Sequence, residues 1–192
     1  MPTVTCQVRI NGVQPDPTPN SAFDWLIQIT EAIAQSSCPS SKIGNCQLTV
    51  SEQNVHGGNW TPALPSIQGG DALITVSTTY QGKRLQASVN VRIGGTNPTA
   101  AIVSARLGGA GTAADLIACH ESGRRQFVGG TPILGPGGDV GVMQLCSPAA
   151  TCEERWSRTA NVDAGLALIN QKQADATRYL TIIRSAASTP TT

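Results

Sequence analysis

Ala72-Leu73-Ile74-Thr75-Val76-Ser77-Thr78-Thr79, its return Arg84-Leu85-Gln86-Ala87-Ser88-Val89-Asn90-Val91-Arg92-Ile93, and the break Gly94-Gly95-Thr96-Asn97-Pro98 divide the chain into two kinds of pattern. Leu73, Thr75, Ser77 and Thr79 alternate with Ile74, Val76 and Tyr80, and Leu85, Ala87, Val89, Val91 and Ile93 share one face of the return. That period of two is the signature of strands. Gln81-Gly82 supplies a turn with a residue tolerant of positive φ, so the stretch predicts a β-hairpin. In the break, the glycines end the last strand, Asn97 can cap, and Pro98 suits a first helical position.

Upstream, Val4, Cys6, Val8 and Ile10 alternate as in a half-buried strand, which Asn11-Gly12 and the stretch from Pro15 to Pro19 interrupt. Phe23, Trp25, Ile27 and Ile29 alternate again; Leu26, Ile29 and Ile33 also fit a helix, and the strand reading is preferred. Gln47 to Ser51 is a short third candidate, followed by a Gly-, Asn- and Pro-rich loop from Gln53 to Gly70. Short strands between Gly/Pro turns predict an Ig-like β-sandwich over residues 1–95. Trp25 and Trp60 are either core side chains or sugar-stacking platforms, with core the better reading for Trp25.

Downstream the period turns helical, giving an α+β chain of two domains. Ile102, Val103 and Leu107 form an apolar face before Gly108-Gly109-Ala110-Gly111. Thr112 opens a second helix, with Asp115 as a variant capping-box partner and Leu116, Ile117 and Cys119 as its core face. This helix ends at Gly123, leaving Glu121 in the last turn. There the carbonyl end of the helix, and partial burial beneath the apolar segment Val140 to Leu145, would both disfavour a charged carboxylate. A general acid for glycoside cleavage needs that setting. The competing reading is a solvated Glu at a helix end.

Composition narrows the function. Charged residues are 13% of the chain and the formal net charge is +1, so no concentrated basic face for nucleic acid is advertised. No apolar run is long enough to span a membrane. Met1-Pro2-Thr3-Val4-Thr5 lacks the basic and apolar regions of a secretory signal. Cys6, Cys38, Cys46, Cys119, Cys146 and Cys152 show no Cys-x-x-Cys step, which favours disulfides over zinc and an oxidising compartment. Pairs Cys38–Cys46 and Cys146–Cys152 would close short loops, but spacing does not choose among the possible pairings. His120-Glu121 begins a zinc-peptidase motif that no second His completes, so no metal is expected and His120 reads as packing or surface. Glu153-Glu154 reads as a solvated pair.

Glu121-Ser122, Gly141-Val142-Met143-Gln144-Leu145 and Asn161-Val162-Asp163-Ala164-Gly165, in this order, resemble successive motifs of the lytic transglycosylase family with the soluble-lytic-transglycosylase domain, related to goose-type lysozyme. The resemblance covers roughly residues 112–170 and implies a lysozyme-like α-helical domain within residues 96–192. It implies cleavage of the β-1,4 bond between N-acetylmuramic acid and N-acetylglucosamine in peptidoglycan, with no cofactor or metal. Glu121 matches the single catalytic acid, which protonates the glycosidic oxygen and then deprotonates the muramyl 6-hydroxyl to close a 1,6-anhydro ring. Ser122, Gly141, Met143, Gln144 and Asn161 match substrate-groove positions; for Met143 a structural role is nearly as good a reading, Asn161 can tie down the groove backbone, and small Ala164 and Gly165 permit close packing.

A hydrolytic lysozyme would direct water with a second carboxylate. Asp139 is the candidate, although in its Gly-rich loop it also reads as a turn former, and Cys146 rather than an acid follows the second motif. Thr159 or Asn161 could cap the long final helix, whose buried face would be Leu166, Ile169, Leu180 and Ile183. The family continues into a motif with a Tyr near the acid, which the context of Tyr179 does not match; the chain is then a fragment or its groove incomplete. The arrangement is that expected of a phage-tail component or secreted antibacterial effector acting in the periplasm or outside the cell. Its partners would be glycan strands and a delivery machine or inhibitor protein. The alternative is a non-catalytic glycan-binding or structural module of such a machine.

Overall fold

The computed structural model describes residues 4–15, 22–31 and 46–187, and the side chains within them up to 185. Ile33, Cys38, most of the stretch from Pro15 to Pro19 and the Thr-rich tail lie outside the described residues. The chain is a mixed α/β protein with its strands in the first half and its helices in the second.

The first half is built on β1 (Cys6–Gln7), β2 (Ala22–Glu31), β3 (Cys46–His56), β4 (Asn59–Trp60), β5 (Gly70–Tyr80) and β6 (Lys83–Ile93). The hairpin read from sequence is β5–β6. Its turn residues Gln81 and Gly82 have φ of 47° and 73°, the left-handed pair of a two-residue hairpin turn, whose twist matches that of the strands. Asn11-Gly12 makes a similar small turn, with Ile10 and Val13 exchanging backbone hydrogen bonds across it. The segment ambiguous between helix and strand is strand β2. β3 reaches His56, so part of the expected loop from Gln53 is strand, and only Cys6–Gln7 of the first candidate pairs in a strand.

The sheet is antiparallel in the order β3-β2-β5-β6, with the two-stranded ribbon β1–β4 separate from it. In an immunoglobulin-like sandwich two multi-stranded sheets face each other. Here, among the described residues, one four-stranded sheet is accompanied by that short ribbon. Phe23, Trp25, Ile27 and Ile29 are buried, with Trp25 opposite Val76, Ile27 opposite Ile74 and Ile29 opposite Ala72. Cys6 and Trp60 of the ribbon belong to the same core, and the Trp60 ring stacks on Trp25 at 5.6 Å. Both tryptophans are therefore core, and neither is a sugar platform. Leu85, Val89 and Val91 of β6, the edge strand among the described residues, are exposed.

The second half contains α1 (Ala100–Arg106), α2 (Ala113–Ser122), the hairpin β7 (Phe127–Val128) and β8 (Thr131–Pro132), α3 (Cys152–Trp156) and α4 (Arg158–Ala187). Its core joins Val103, Leu107, Ala114, Ala118, Val140, Val142, Met143, Leu145 and Val162. Two helix faces differ from the expectation. Ile102 of α1 is exposed while Ser104 is buried, and on α2 Leu116 (57% exposed), Ile117 and Cys119 face outward. Ala114, Asp115, Ala118 and Ser122 face inward instead, because small side chains let α2 approach the 140–145 segment closely. The buried Asp115 is stabilised by three polar partners, so an acidic residue occupies a place that hydropathy alone gives to Leu116. Helix starts also shift: the cap of α1 is Thr99, and Ser157 caps α4 by accepting a hydrogen bond from Ala160 N at 3.2 Å. α4 has 30 residues, about 45 Å of helix. It outruns the core, so Leu166 and Ile169 pack while Leu180 and Ile183 are exposed.

One end of the sheet carries the junction with the helical half. Glu31 and Cys46 are cross-strand neighbours, and both reach α3. Cys46 forms a disulfide with Cys152, so the short-loop pairings suggested by spacing do not form; Cys146 is also disulfide-bonded, and Cys6 and Cys119 are free. Arg155 Nη2 donates to Glu31 Oε1 at 2.6 Å, its Nε donates at 3.1 Å, and Trp156 Nε1 donates to Glu31 Oε2 at 2.6 Å. The Trp156 ring lies so close over Gly69 that a Cβ there would sit 2.2 Å from it.

Removing one member of a buried ion pair leaves the other charge uncompensated. Arg155→Met is thus expected to lower unfolding stability in urea by about 3 kcal/mol or more. Asp71→Ser, at the exposed pair with Arg92, is expected to cost less than about 1 kcal/mol.

Candidate functional site

The site is assembled around the end of α2. Thr112 caps this helix, accepting from Asp115 N at 3.3 Å as the sequence suggested. The Asp115 carboxylate does not complete a capping box. It accepts from Ser104 Oγ at 2.6 Å, from Gly111 N at 2.8 Å and from Arg124 Nε and Nη2 at 2.6 and 2.8 Å. The Arg124 hydrogen bonds, then those from Ser104 and Gly111, hold Asp115 well below the usual carboxylate range, and Asp115 in turn raises Arg124 above its ordinary value. Arg124 reaches back to Asp115 because the helix ends in two left-handed residues, Gly123 (φ 62°) and Arg124 (φ 61°). Gly123 N bonds back to Cys119 O, the single bond of an αL ending, and Arg124 N reaches Ala118 O.

This ending sets the directions of Glu121 and Ser122. Ser122 is buried. Its hydroxyl donates to Val142 O at 2.9 Å and to Ala118 O at 3.2 Å, and accepts from Arg125 N. Glu121 is exposed and has no hydrogen-bond or ion-pair partner among the described residues. The expectation that Glu121 lies beneath Val140–Leu145 is corrected: Ser122, four residues after Ala118 on the inward face, takes that place, and Glu121 is turned away from it.

The 140–145 segment has little regular structure, so each backbone group needs an individual partner. Gly141 N donates to Ile133 O, Val142 N to Gln126 Oε1 at 3.1 Å, and Met143 N to Asn161 Oδ1 at 2.9 Å. Val140 O accepts from Asn161 Nδ2 at 3.0 Å, and Gly141 O from Gln144 Nε2 at 2.8 Å. Gly141 has φ of 78°, and a Cβ there would meet Asn161 Nδ2 at 2.5 Å and Gln126 Nε2 at 2.6 Å. Only glycine fits.

Of the residues expected to line a sugar groove, Ser122, Gly141 and Asn161 are thus internal braces. Met143 is buried against Gly165, whose hypothetical Cβ would lie 2.4 Å from Met143 Cγ, which gives the small residue of the third motif its reason. Gln144 is half-buried, its Nε2 donating to Gly141 O at 2.8 Å and its Oε1 lying against Gly135. Asp139 O accepts from Gly135 N, and the Asp139 carboxylate lies against Gly135 and Gly137 of the same loop, the turn geometry rather than a reach toward Glu121. His120 is on the surface. No group of residues able to hold a metal occurs among the described residues.

Two contributors escaped the sequence reading. Gln126 is fully buried, accepting from Val142 N while its Nε2 donates to Glu154 O and Arg155 O. Asn97 is no helix cap; its Oδ1 accepts from Gln126 N and Phe127 N at 2.8 and 3.0 Å. A polar amide among arginines carries no burial signal, but Asn97 at a break did signal an amide bonding to backbone. Comparison of the chain with family models, curated proteins and solved structures finds no match in any of the three.

Asn161→Asp keeps the volume but cannot donate to Val140 O and Glu154 O. It is expected to lower unfolding stability by about 2 kcal/mol or more, read by urea denaturation. Because the carboxyl of Asp115 is depressed in the fold, its contribution is complete above about pH 4 and is lost as pH falls further. The Tm gap between the parent and Asp115→Asn should therefore narrow on acidification below about pH 4.

Proposed function

We propose that this chain is a peptidoglycan lytic transglycosylase in which the β half supports a lysozyme-like half and Glu121 is the sole acid and base. One observation carries the reading: three segments distant in sequence meet in one hydrogen-bonded unit, through Ser122 Oγ to Val142 O and Asn161 Oδ1 from Met143 N, beside an unpartnered carboxylate. A scaffold this heavily braced suits precise placement of a reacting group.

A glycan laid beside Glu121 would exclude water from it. The neutral carboxyl gives its proton to the glycosidic oxygen as the bond to the muramyl C1 breaks. The resulting carboxylate takes the proton of the muramyl 6-hydroxyl, whose oxygen closes on C1. Protons balance with one carboxylate and without water, in keeping with Asp139 folded onto its own loop. The half-buried Gln144 amide is the side chain of the second motif best able to meet an acetamido group. The substrate places the work in the periplasm or outside the cell, and delivery would fall to a phage-tail or secretion machine.

A second reading, a glycan-gripping or structural module without turnover, draws on Tyr179: it stands in solvent on α4 rather than packed beside the acid. Release of soluble fragments from labelled peptidoglycan separates the two. Glu121→Gln is expected to abolish release, a loss of at least about 100-fold, with Tm unchanged because the side chain has no partner to lose. Release by the variant at the parental rate would remove Glu121 from the chemistry; glycan binding without release by the parent would favour the second reading.

A further inference from the structure

The junction between the two halves holds a cleft of about 610 Å³, lined in part by the break Gly94 to Pro98 and by none of the residues of the three motifs. Its volume is in the range of small-ligand sites, and domain junctions are where such sites gather. Glu121 does not line it. Leu64, Ile67 and Ile93 contribute apolar surface from the sheet side, Phe127 and Trp156 from the helical side. The two rings lie 5.8 Å apart, and Trp156 is fixed by its bond to Glu31, so this wall is rigid.

The polar groups of the cleft are few and differ in sign. Ser157, Arg158 and Thr159, at the start of α4, line it. The Ser157 hydroxyl and carbonyl serve the amides of Ala160 and Asn161, while the amides of Arg158 and Thr159 have no acceptor among the described residues. Arg158, half-buried as a residue, has no ion-pair partner among the described residues. A 30-residue helix thus presents its positive end, two free N–H groups and a cation to the cleft. Gln68 also lines it and is only 8% exposed. Its Nε2 donates to Ile29 O at 3.3 Å, while its Oε1 has no partner among the described residues. That oxygen opens onto the cleft, where an N–H of the occupant can take the place of water.

We infer that this cleft binds the free C-terminus of a short peptide ending in small apolar residues. The carboxylate meets Arg158 and the start of α4, the apolar side chains lie against Phe127, Trp156 and Ile67, and a peptide N–H donates to Gln68 Oε1. A fatty acid lacks that donor, and a neutral sugar lacks both the charge and the apolar body.

The probe is N-acetyl-alanyl-alanine, with its C-terminal amide as control, titrated by calorimetry and followed by amide NMR on the full chain. Binding should shift the amides of Gly94 to Asn97 and Ser157 to Thr159. The C-terminal amide and the Arg158→Gln variant should each bind roughly ten-fold more weakly, the loss of a charge-assisted contact. Ile67→Trp, a change at an exposed rim position, should fill the cleft and block binding while Tm stays near that of the parent. Absence of binding by the parent, equal binding of acid and amide, or undiminished binding by Ile67→Trp would overturn the inference. None of these readouts depends on glycan cleavage.

Discussion

The backbone from Val140 to Met143 turns through the interior with almost no regular partner, and two buried carboxamides hold it in place. Asn161 and Gln126 each bridge this segment to the α3 region, accepting from Met143 N and Val142 N and donating to Glu154 O. An apolar pair of the same size would leave buried amides and carbonyls unpaired, at a cost of about 1–3 kcal/mol each. Carboxamides can donate and accept at once, which hydroxyls and carboxylates do less completely. With the segment fixed, Ser122 has an acceptor at Val142 O, the end of α2 is fixed in turn, and the direction of Glu121 follows.

The same bracing runs on to the sheet. Gln126 Nε2 also bonds to Arg155 O, and the Arg155 side chain pairs with Glu31 at the end of β2, beside the Cys46–Cys152 disulfide. A covalent link, an ion pair and an aromatic ring over Gly69 thus converge on one end of the sheet. The β half can be understood as a support for α3, and through α3 for the 140–145 segment.

The sequence made legible what depends on period and turn chemistry: the β5–β6 hairpin, its Gln81-Gly82 turn, and the ending of α2 at Gly123. The backbone-holding role of Asn161 and the close packing at Gly165 are legible in the sequence, whereas the internal role of Gly141 is not. Each acts inside the fold, through close packing or backbone bonding, rather than on a ligand. The inward face of α2 was missed because it is made of alanines, a serine and an ion-paired aspartate, while its apolar Leu116 and Ile117 face solvent. Hydropathy ranks those residues in the opposite order. Cys46–Cys152 bridges 106 residues of sequence, a separation to which no local pattern points. Gln126 sits behind two arginines, and burial there follows from the left-handed turn at Gly123 and Arg124, which only three-dimensional packing demands.

The central claim, one carboxylate serving an intramolecular displacement, is tested most directly by digesting peptidoglycan in heavy-oxygen water and reading the new chain ends by mass spectrometry. The expected result is 1,6-anhydromuramyl ends that carry no solvent oxygen. Reducing ends labelled by the solvent would contradict it, because they require attack of water rather than of the 6-hydroxyl on the muramyl C1.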